Sequence, residues 1–303
     1  MIYRLTHTTT YQYNGAVSLS HHLLRLRPRD LPHQRCFQHE LQIEPQPDVL
    51  SGYFDYFGNP TTFVTIEGSH RELVITGRSE VAVTERPAPG QVPDWETARD
   101  LFEVIEFVYA SPLVNDQPEL GAYAAPSFST RRPLLEAVLD LTDRIYRDFK
   151  FDSTATNVAT PVMDVFKSRR GVCQDFAHLQ IGCLRAMGLA ARYVSGYLET
   201  KPPRGRLRLV GADASHAWVS FFCPGAGWVD VDPTNNLLVG GHHIAVAWGR
   251  DYSDVSPVRG IIIGSGEHSL SVAVDVLALP ETGPPAKEVL TDARGVPGFR
   301  AGS

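Results

Sequence analysis

With 303 residues, 43% apolar and 20% charged, the chain has ordinary globular composition and room for two units, each with its own core. Its net charge of −6 excludes the basic footprint of a nucleic-acid binder. No apolar run nears the roughly 20 residues that span a bilayer.

The start, MIYRLTHTTTYQY, alternates polar and apolar residues and lacks the basic region and apolar block of a signal peptide. The expectation is therefore a soluble, cytoplasmic protein. Tyr3, Leu5, His7, Thr9, Tyr11 and Tyr13 share one side of a period-2 strand. FQHELQIEP (37–45) alternates likewise, and YFDYFGNPTTFVTIEG (53–68) predicts a hairpin turning at Gly58-Asn59-Pro60. RELVITGRSEVAVTE (71–85) adds one or two strands, so residues 1–87 form a β-rich, sandwich-like unit. Three prolines and a glycine in RPAPGQVPD (86–94) suit a linker.

Helical patterns follow over 95–110 and 133–149, with Pro133 in a first helical turn and aperiodic loop between them. PVMDVFKSRRG (161–171) is a short helix that stops at Gly171. The apolar helix carrying Cys173 and Cys183 ends near Gly188. Then the period returns to two: ARYVSGYLE (191–199), HAWVSFFC (216–223) and GWVDVD (227–232) are consecutive strands, and 260–278 gives one or two more. Helices before antiparallel strands make residues 88–280 an α+β unit. Residues 281–303 are expected to be a flexible tail.

The four cysteines, Cys36, Cys173, Cys183 and Cys223, are too scattered for a disulfide framework and contain no C-x2-C zinc pair. On one helix, Cys173 and Cys183 stand about 15 Å apart, beyond disulfide reach. Cys183, Cys36 and Cys223 suit buried packing. Cys173 differs, because it opens a helix directly after Gly171-Val172. Unpaired backbone N–H groups and the positive end of the helix dipole there favour a thiolate, the nucleophilic form, and can receive an oxyanion.

A nucleophile needs a base, and the base needs an orienting partner. His216 opens one strand and Asp232 closes the next. Counting outward from the tight loop at 224–227 puts them near the same end of an antiparallel pair. Asp230 lies two residues nearer the turn and matches less well.

GVCQDFA, SHAWV and GWVDVDPTN, in that order, resemble the three motifs of the transglutaminase-like superfamily over about residues 133–240. The N-terminal β segment and GRDYSDVSPVRG (249–260) resemble its bacterial subfamily of transglutaminase-like enzymes and proposed cysteine proteases. The resemblance implies a papain-like core with helices packed on an antiparallel sheet. It also implies a triad with Cys173 as nucleophile, His216 as general base and acid, and Asp232 as orienting carboxylate.

The expected activity is a peptidase or amidase acting on a peptide or protein substrate through a thioester, with no cofactor, metal, nucleic acid or membrane. A protein-glutamine transglutaminase and a catalytically silent peptide-binding scaffold are the alternatives. Animal transglutaminases use calcium, but no D-x-[DN]-x-[DN]-G loop occurs here. Gln174 and Asn157 are candidates for the second oxyanion donor. Asp175 suits a first-turn helix charge, His178 a core or surface histidine, and the His242-His243 doublet a Gly-rich loop. Trp218 and Trp228 suit the core, and Lys201, Arg204, Arg206 and Arg208 a solvated hairpin tip.

Overall fold

Strand β1 (Ile2–Leu24) is the spine of the first sheet, and its two halves have different partners. The structure, a computed structural model, describes residues 1–90, 92–199, 215–264 and 266–279. β2 (Gln34–Glu44), β3 (Val49–Phe54), β4 (Pro60–Ile66) and β5 (His70–Val83) follow, giving the order β2-β5-β1-β4-β3. β5 pairs with residues 2–12 of β1 and β4 with residues 20–24, and the register shifts between Gln12 and Val17. Such an irregularity lets a long strand bend. The sheet thereby curls over a core of Tyr13, Val17, Leu24, Ile43, Val64 and Leu73. That is how one sheet becomes sandwich-like.

The second sheet carries the helical layer. α1 (Pro118–Ala124), α2 (Leu134–Asp148), β6 (Lys150–Phe151), α3 (Val162–Ser168), β7 (Arg170–Gly171) and α4 (Cys173–Ala186) come first. β8 (Ala191–Leu198), β9 (Ser215–Cys223), β10 (Gly227–Asp232), β11 (Leu237–Leu238) and β12 (His243–Gly249) then form a sheet ordered β11-β10-β9-β8-β12. Ala217, Val219, Phe221 and Val231 pack with α4 residues Phe176, Leu179 and Cys183 in the main core. α4 ends in a Schellman motif: Gly188, at φ +78, donates to the Arg185 carbonyl and Leu189 to that of Leu184.

Three segments depart from the sequence reading. Residues 95–110 form only two 3-10 turns, Trp95–Ala98 and Phe102–Phe107. Asp100 between them takes a left-handed φ of 50, which an α-helix cannot contain. The supposed loop after them holds α1, which is too short to be stable alone. Buried Leu120 and Ala124 dock it on α4, where a Cβ on Gly182 would come 2.6 Å from Leu120. Third, after α5 (Tyr252–Val255), the strands β13 (Val258–Gly264) and β14 (His268–Leu279) pair with β1, not with the second sheet. The expected boundary at 280 therefore gives way to a second unit bracketed by strands of the first. The basic residues Lys201, Arg204, Arg206 and Arg208 and the tail 281–303 lie outside the described residues. No helix among the described residues is long and apolar enough to cross a membrane.

The two sheets meet face to edge. Tyr3, Leu5, Val81 and Val276 of the first pack with Tyr197, Ile244 and Val246 of the second. β12 is an edge strand whose backbone would be left wanting partners. The Gln34 side chain donates to the Ala245 carbonyl and accepts from the Ala245 amide, both at 2.8 Å. Asn59 does the same for Trp248, donating to its carbonyl and accepting from its N–H, both at 2.9 Å. Arg29 stacks on the Trp248 ring at 3.4 Å.

Gly196 of β8 lies where these layers are tightest. A Cβ there would come 2.1 Å from the Ile244 carbonyl oxygen and 2.5 Å from the Trp218 ring. Gly196→Ala should cost about 2–3 kcal/mol in a urea titration. Gly52→Ala, where nothing lies within 4 Å, should change little. Equal midpoints for the two variants would contradict the packing described.

Candidate active site

Val172 precedes α4 in extended conformation, and Cys173 is the first helical residue. Asp175 secures this start, its carboxylate accepting from the Val172 amide at 2.8 Å and from the Thr156 hydroxyl at 2.6 Å. Only half of a capping box exists, since Val172 has no side-chain acceptor. Gly171 serves by lacking a Cβ, which would sit 2.6 Å from the Asp175 carboxylate oxygen. Burial raises the Asp175 pKa, against the bonds from Thr156 and Val172.

The parallel pairing of β6 with β7 sets the 152–160 loop beside Cys173. There the Gln174 amide donates to the Val158 carbonyl at 3.2 Å, and the Asn157 side-chain oxygen accepts from the Ala159 amide at 2.9 Å. Gln174 thus braces the loop through its amide donor, and Asn157 through its side-chain oxygen. The amides of Cys173, Gln174 and Asp175 precede the first helical bond, from Phe176 to the Val172 carbonyl at 3.1 Å, so the helix makes no use of them.

β9 and β10 pair with Asp230 opposite Ser220 and Val231 opposite Val219. One further step puts Asp232 opposite Trp218, diagonal to His216. The His216 Nε2 lies 2.7 Å from Asp232 Oδ2. Facing a carboxylate, Nε2 carries the proton, and Nδ1 is the ring nitrogen left for another partner. The Cys173 thiol is a neighbour of the same ring. Burial disfavours a charged imidazole, but the interactions with Asp232 and Cys173 outweigh it and push His216 up to about 10.

Asp232 is fully buried. Its Oδ2 accepts from His216, from Asn235 Nδ2 at 2.7 Å and from His243 Nε2 at 3.0 Å. Oδ1 accepts from the amides of Thr234 and Asn235, at 2.9 and 3.2 Å. Burial would raise its pKa, yet the bonds from His216 and His243 dominate and hold it well below the usual carboxylate range. Asp230 faces a different partner set. It pairs with Arg86 from the first unit and accepts from Trp218 Nε1 at 3.1 Å.

Residue for residue, the structure brings Cys173, His216 and Asp232 together and leaves the other candidates elsewhere. Cys183 is buried in the core, its thiol pushed up to about 12 by that burial. His178 accepts from the Tyr252 amide at 3.1 Å, and burial lowers it to about 4. Trp218 is buried in the core, while Trp228, half-buried, packs beside Phe222 and Phe107.

The sequence places His243 in a Gly-rich loop. It instead begins β12 and turns onto Asp232, while His242 turns away to the Tyr3 hydroxyl at 3.1 Å. HIAVAWG alternates too briefly to signal a strand. The ligand atoms of His216, Asp232 and His243 lie within 4.8 Å of one another and could hold a metal ion. In this arrangement both imidazoles aim Nε2 at one carboxylate oxygen, a donor geometry that a metal would have to disrupt.

Residues 3–82 match the bacterial transglutaminase-like N-terminal region, and residues 122–233 match the transglutaminase-like superfamily. An uncharacterized protein of Mycobacterium tuberculosis is 44% identical over 290 residues, 91% of this chain and 92% of that protein. A protein-glutamine gamma-glutamyltransferase of Pseudomonas aeruginosa is 41% identical over 103 residues, 31% of this chain and 15% of that protein. The solved structure of a proposed cysteine protease from Cytophaga hutchinsonii has a TM-score of 0.73. It covers 94% of this chain and 93% of that one at 22% identity, a likeness of fold.

The His216–Asp232 pair gives stability a definite pH profile. Raised from 6.5 to about 10, His216 contributes fully below 6.5 and loses that contribution as pH rises toward about 10. Depressed from 3.8, Asp232 contributes above 3.8 and loses it in acid. The stability gap between wild type and Asp232→Asn, read from urea midpoints, should be widest between these limits and narrow toward alkaline pH. A gap independent of pH would contradict the ion pair.

Proposed function

The chain belongs to the transglutaminase-like superfamily, and from that premise we propose that it is a cysteine-dependent acyl-transfer enzyme that hydrolyses amide or isopeptide bonds. The observation that carries this reading is the His216 pair with buried Asp232, set beside the Cys173 thiol at the start of α4. A silent scaffold has no physical need for this set.

In the proposed reaction, His216 has already taken the Cys173 proton, as its raised pKa favours, and Sγ attacks the carbonyl carbon. The tetrahedral oxyanion forms beside the α4 first-turn amides, preorganised donors that need no rearrangement. Collapse breaks the C–N bond, and the imidazolium returns its proton to the departing amine. A thioester on Cys173 remains. Water, deprotonated by His216, attacks the thioester carbonyl carbon; collapse breaks the C–S bond, the acid is released, and the proton held by His216 restores the starting Cys173–His216 pair. Asp232 keeps its charge throughout, so each imidazolium forms beside a fixed anion.

Water is favoured over an amine because amine transfer demands a dry cleft. Trp218 and Phe221, the strand aromatics nearest in sequence to His216, are buried in the protein core and wall no cleft. Beside Cys173 stand the polar Gln174 and Asp175. The likeness to a Pseudomonas aeruginosa protein-glutamine gamma-glutamyltransferase supports the second reading, transfer to a primary amine. The four free cysteines fit a reducing, cytoplasmic location.

Two measurements test this function. Cys173→Ala and His216→Ala should each abolish nearly all turnover of a peptide amide, with Asp232→Asn retaining more, while buried Cys183→Ala keeps activity. A Cys183 variant as damaged as Cys173→Ala would mean that the wrong thiol has been chosen. In the second, a peptide substrate is supplied with a millimolar primary amine and both products are measured. Acid should exceed conjugate; the reverse would favour the transglutaminase.

A further inference from the structure

Asp232 Oδ2 serves two histidines, and the proposed reaction uses only one. His243 Nε2 stands 3.0 Å from the oxygen that His216 Nε2 meets at 2.7 Å. The His243 ring is 2% exposed, lies edge-on to Trp218 at 5.1 Å, and sits 5.8 Å from the His216 ring. Its Nδ1 is buried without a hydrogen-bond partner among the described residues. A neutral ring with its proton on Nε2 satisfies this geometry, since a proton on Nδ1 would be stranded and Nε2 would then oppose a carboxylate with a lone pair. Burial and the nearby His216 charge lower its pKa, against the bond to Asp232, which keeps the ring neutral.

We propose that His243 is a positioning residue: its Nε2–H holds Asp232 Oδ2 so that the carboxylate stays aimed at His216, and the N-terminal unit acts on the site by holding His243. The turn amides of Thr234 and Asn235 grip only Oδ1. Among the described residues Oδ2 is met by side chains alone, and of those only His243 comes from outside the adjacent β9-β10 pair, at a nearly solvent-free site. The residues just before it are clamped from the first unit. Glu85 accepts from the Gly241 amide at 3.1 Å, and the Tyr3 hydroxyl meets the Gly241 carbonyl at 3.4 Å and His242 Nδ1 at 3.1 Å. Side chains on Gly240 or Gly241 would come within 2.9 and 2.7 Å of Glu85. The N-terminal unit thus reaches the reacting pair through one loop and one imidazole.

This inference rests on the acyl-transfer reading, so the test separates the two. The full-length chain is alkylated with iodoacetamide from pH 5 to 9, and the rate at Cys173 is followed by peptide mass mapping. His243→Leu should slow the neutral-pH rate by about tenfold or more, the scale on which outer-shell partners act. His243→Gln, whose amide N–H can replace Nε2–H, should stay within about threefold of wild type. In the Asp232→Asn background, His243→Leu should change the rate by less than about twofold, because its target is gone. Glu85→Ala, remote from the thiol, should repeat that pattern more weakly and serves if His243→Leu does not fold. Equal slowing in both backgrounds, or Gln behaving like Leu, overturns the proposal while the fast wild-type thiol stands. A wild-type Cys173 no faster than free cysteine overturns the acyl-transfer reading and this inference with it.

Discussion

Much of the second unit is organised around one buried charge. An ionised carboxylate without contact with water is tolerated only where donors replace its hydration. Asp232 has five, drawn from β9, the turn after β10, and β12. These segments are remote in hydrogen-bonding order, since β12 and β10 lie on opposite sides of the β9-β8 pair. Meeting the needs of this one group therefore specifies how the sheet curves and where its last strand begins. The same anion accounts for the alkaline displacement of His216, which a buried imidazole alone would not show.

The first unit solves a related problem at the edge of that sheet. β12 would expose backbone groups along one side, and leaving such groups buried and unmet costs about 1–3 kcal/mol each. Gln34 and Asn59 present amide side chains that imitate a neighbouring strand at Ala245 and Trp248. Arg86 ties Asp230 to the same junction. Asp230 and Asp232 thus share a strand face but have separate duties, the first structural and interfacial, the second facing the imidazole. The return of β13 and β14 to β1 makes the two units a single interleaved body, so placement of the site depends on both.

The cysteines show how environment sorts identical side chains. Cys36, Cys183 and Cys223 are buried, and burial pushes each thiol up. Cys173 alone is half-buried, at a helix start and beside a histidine. Ten residues along one helix separate a packing atom from the candidate nucleophile.

Local regularities were legible in the sequence wherever a periodic face was long enough. The amphipathic α2 and the helix that begins at Cys173 reach the structure close to their expected limits, while the period-2 face from Tyr3 to Tyr13 is the first half of a strand that runs on to Leu24. Motif order marked Cys173, His216 and Asp232, and counting across the 224–227 turn favoured Asp232 over Asp230, because antiparallel register is arithmetic once a tight turn is known. Tertiary structure decided the rest. Residues 95–110 carry apolar spacing that fits a helix, but the left-handed Asp100 forms only in the folded chain. α1 exists because α4 offers Gly182 to Leu120. His243 acquires its place only when β12 docks at the far edge of the sheet and its imidazole meets a carboxylate eleven residues earlier. Periodicity reports the environment a residue shares with its chain neighbours; a hydrogen bond to a buried charge is set by the partner that folding brings from elsewhere.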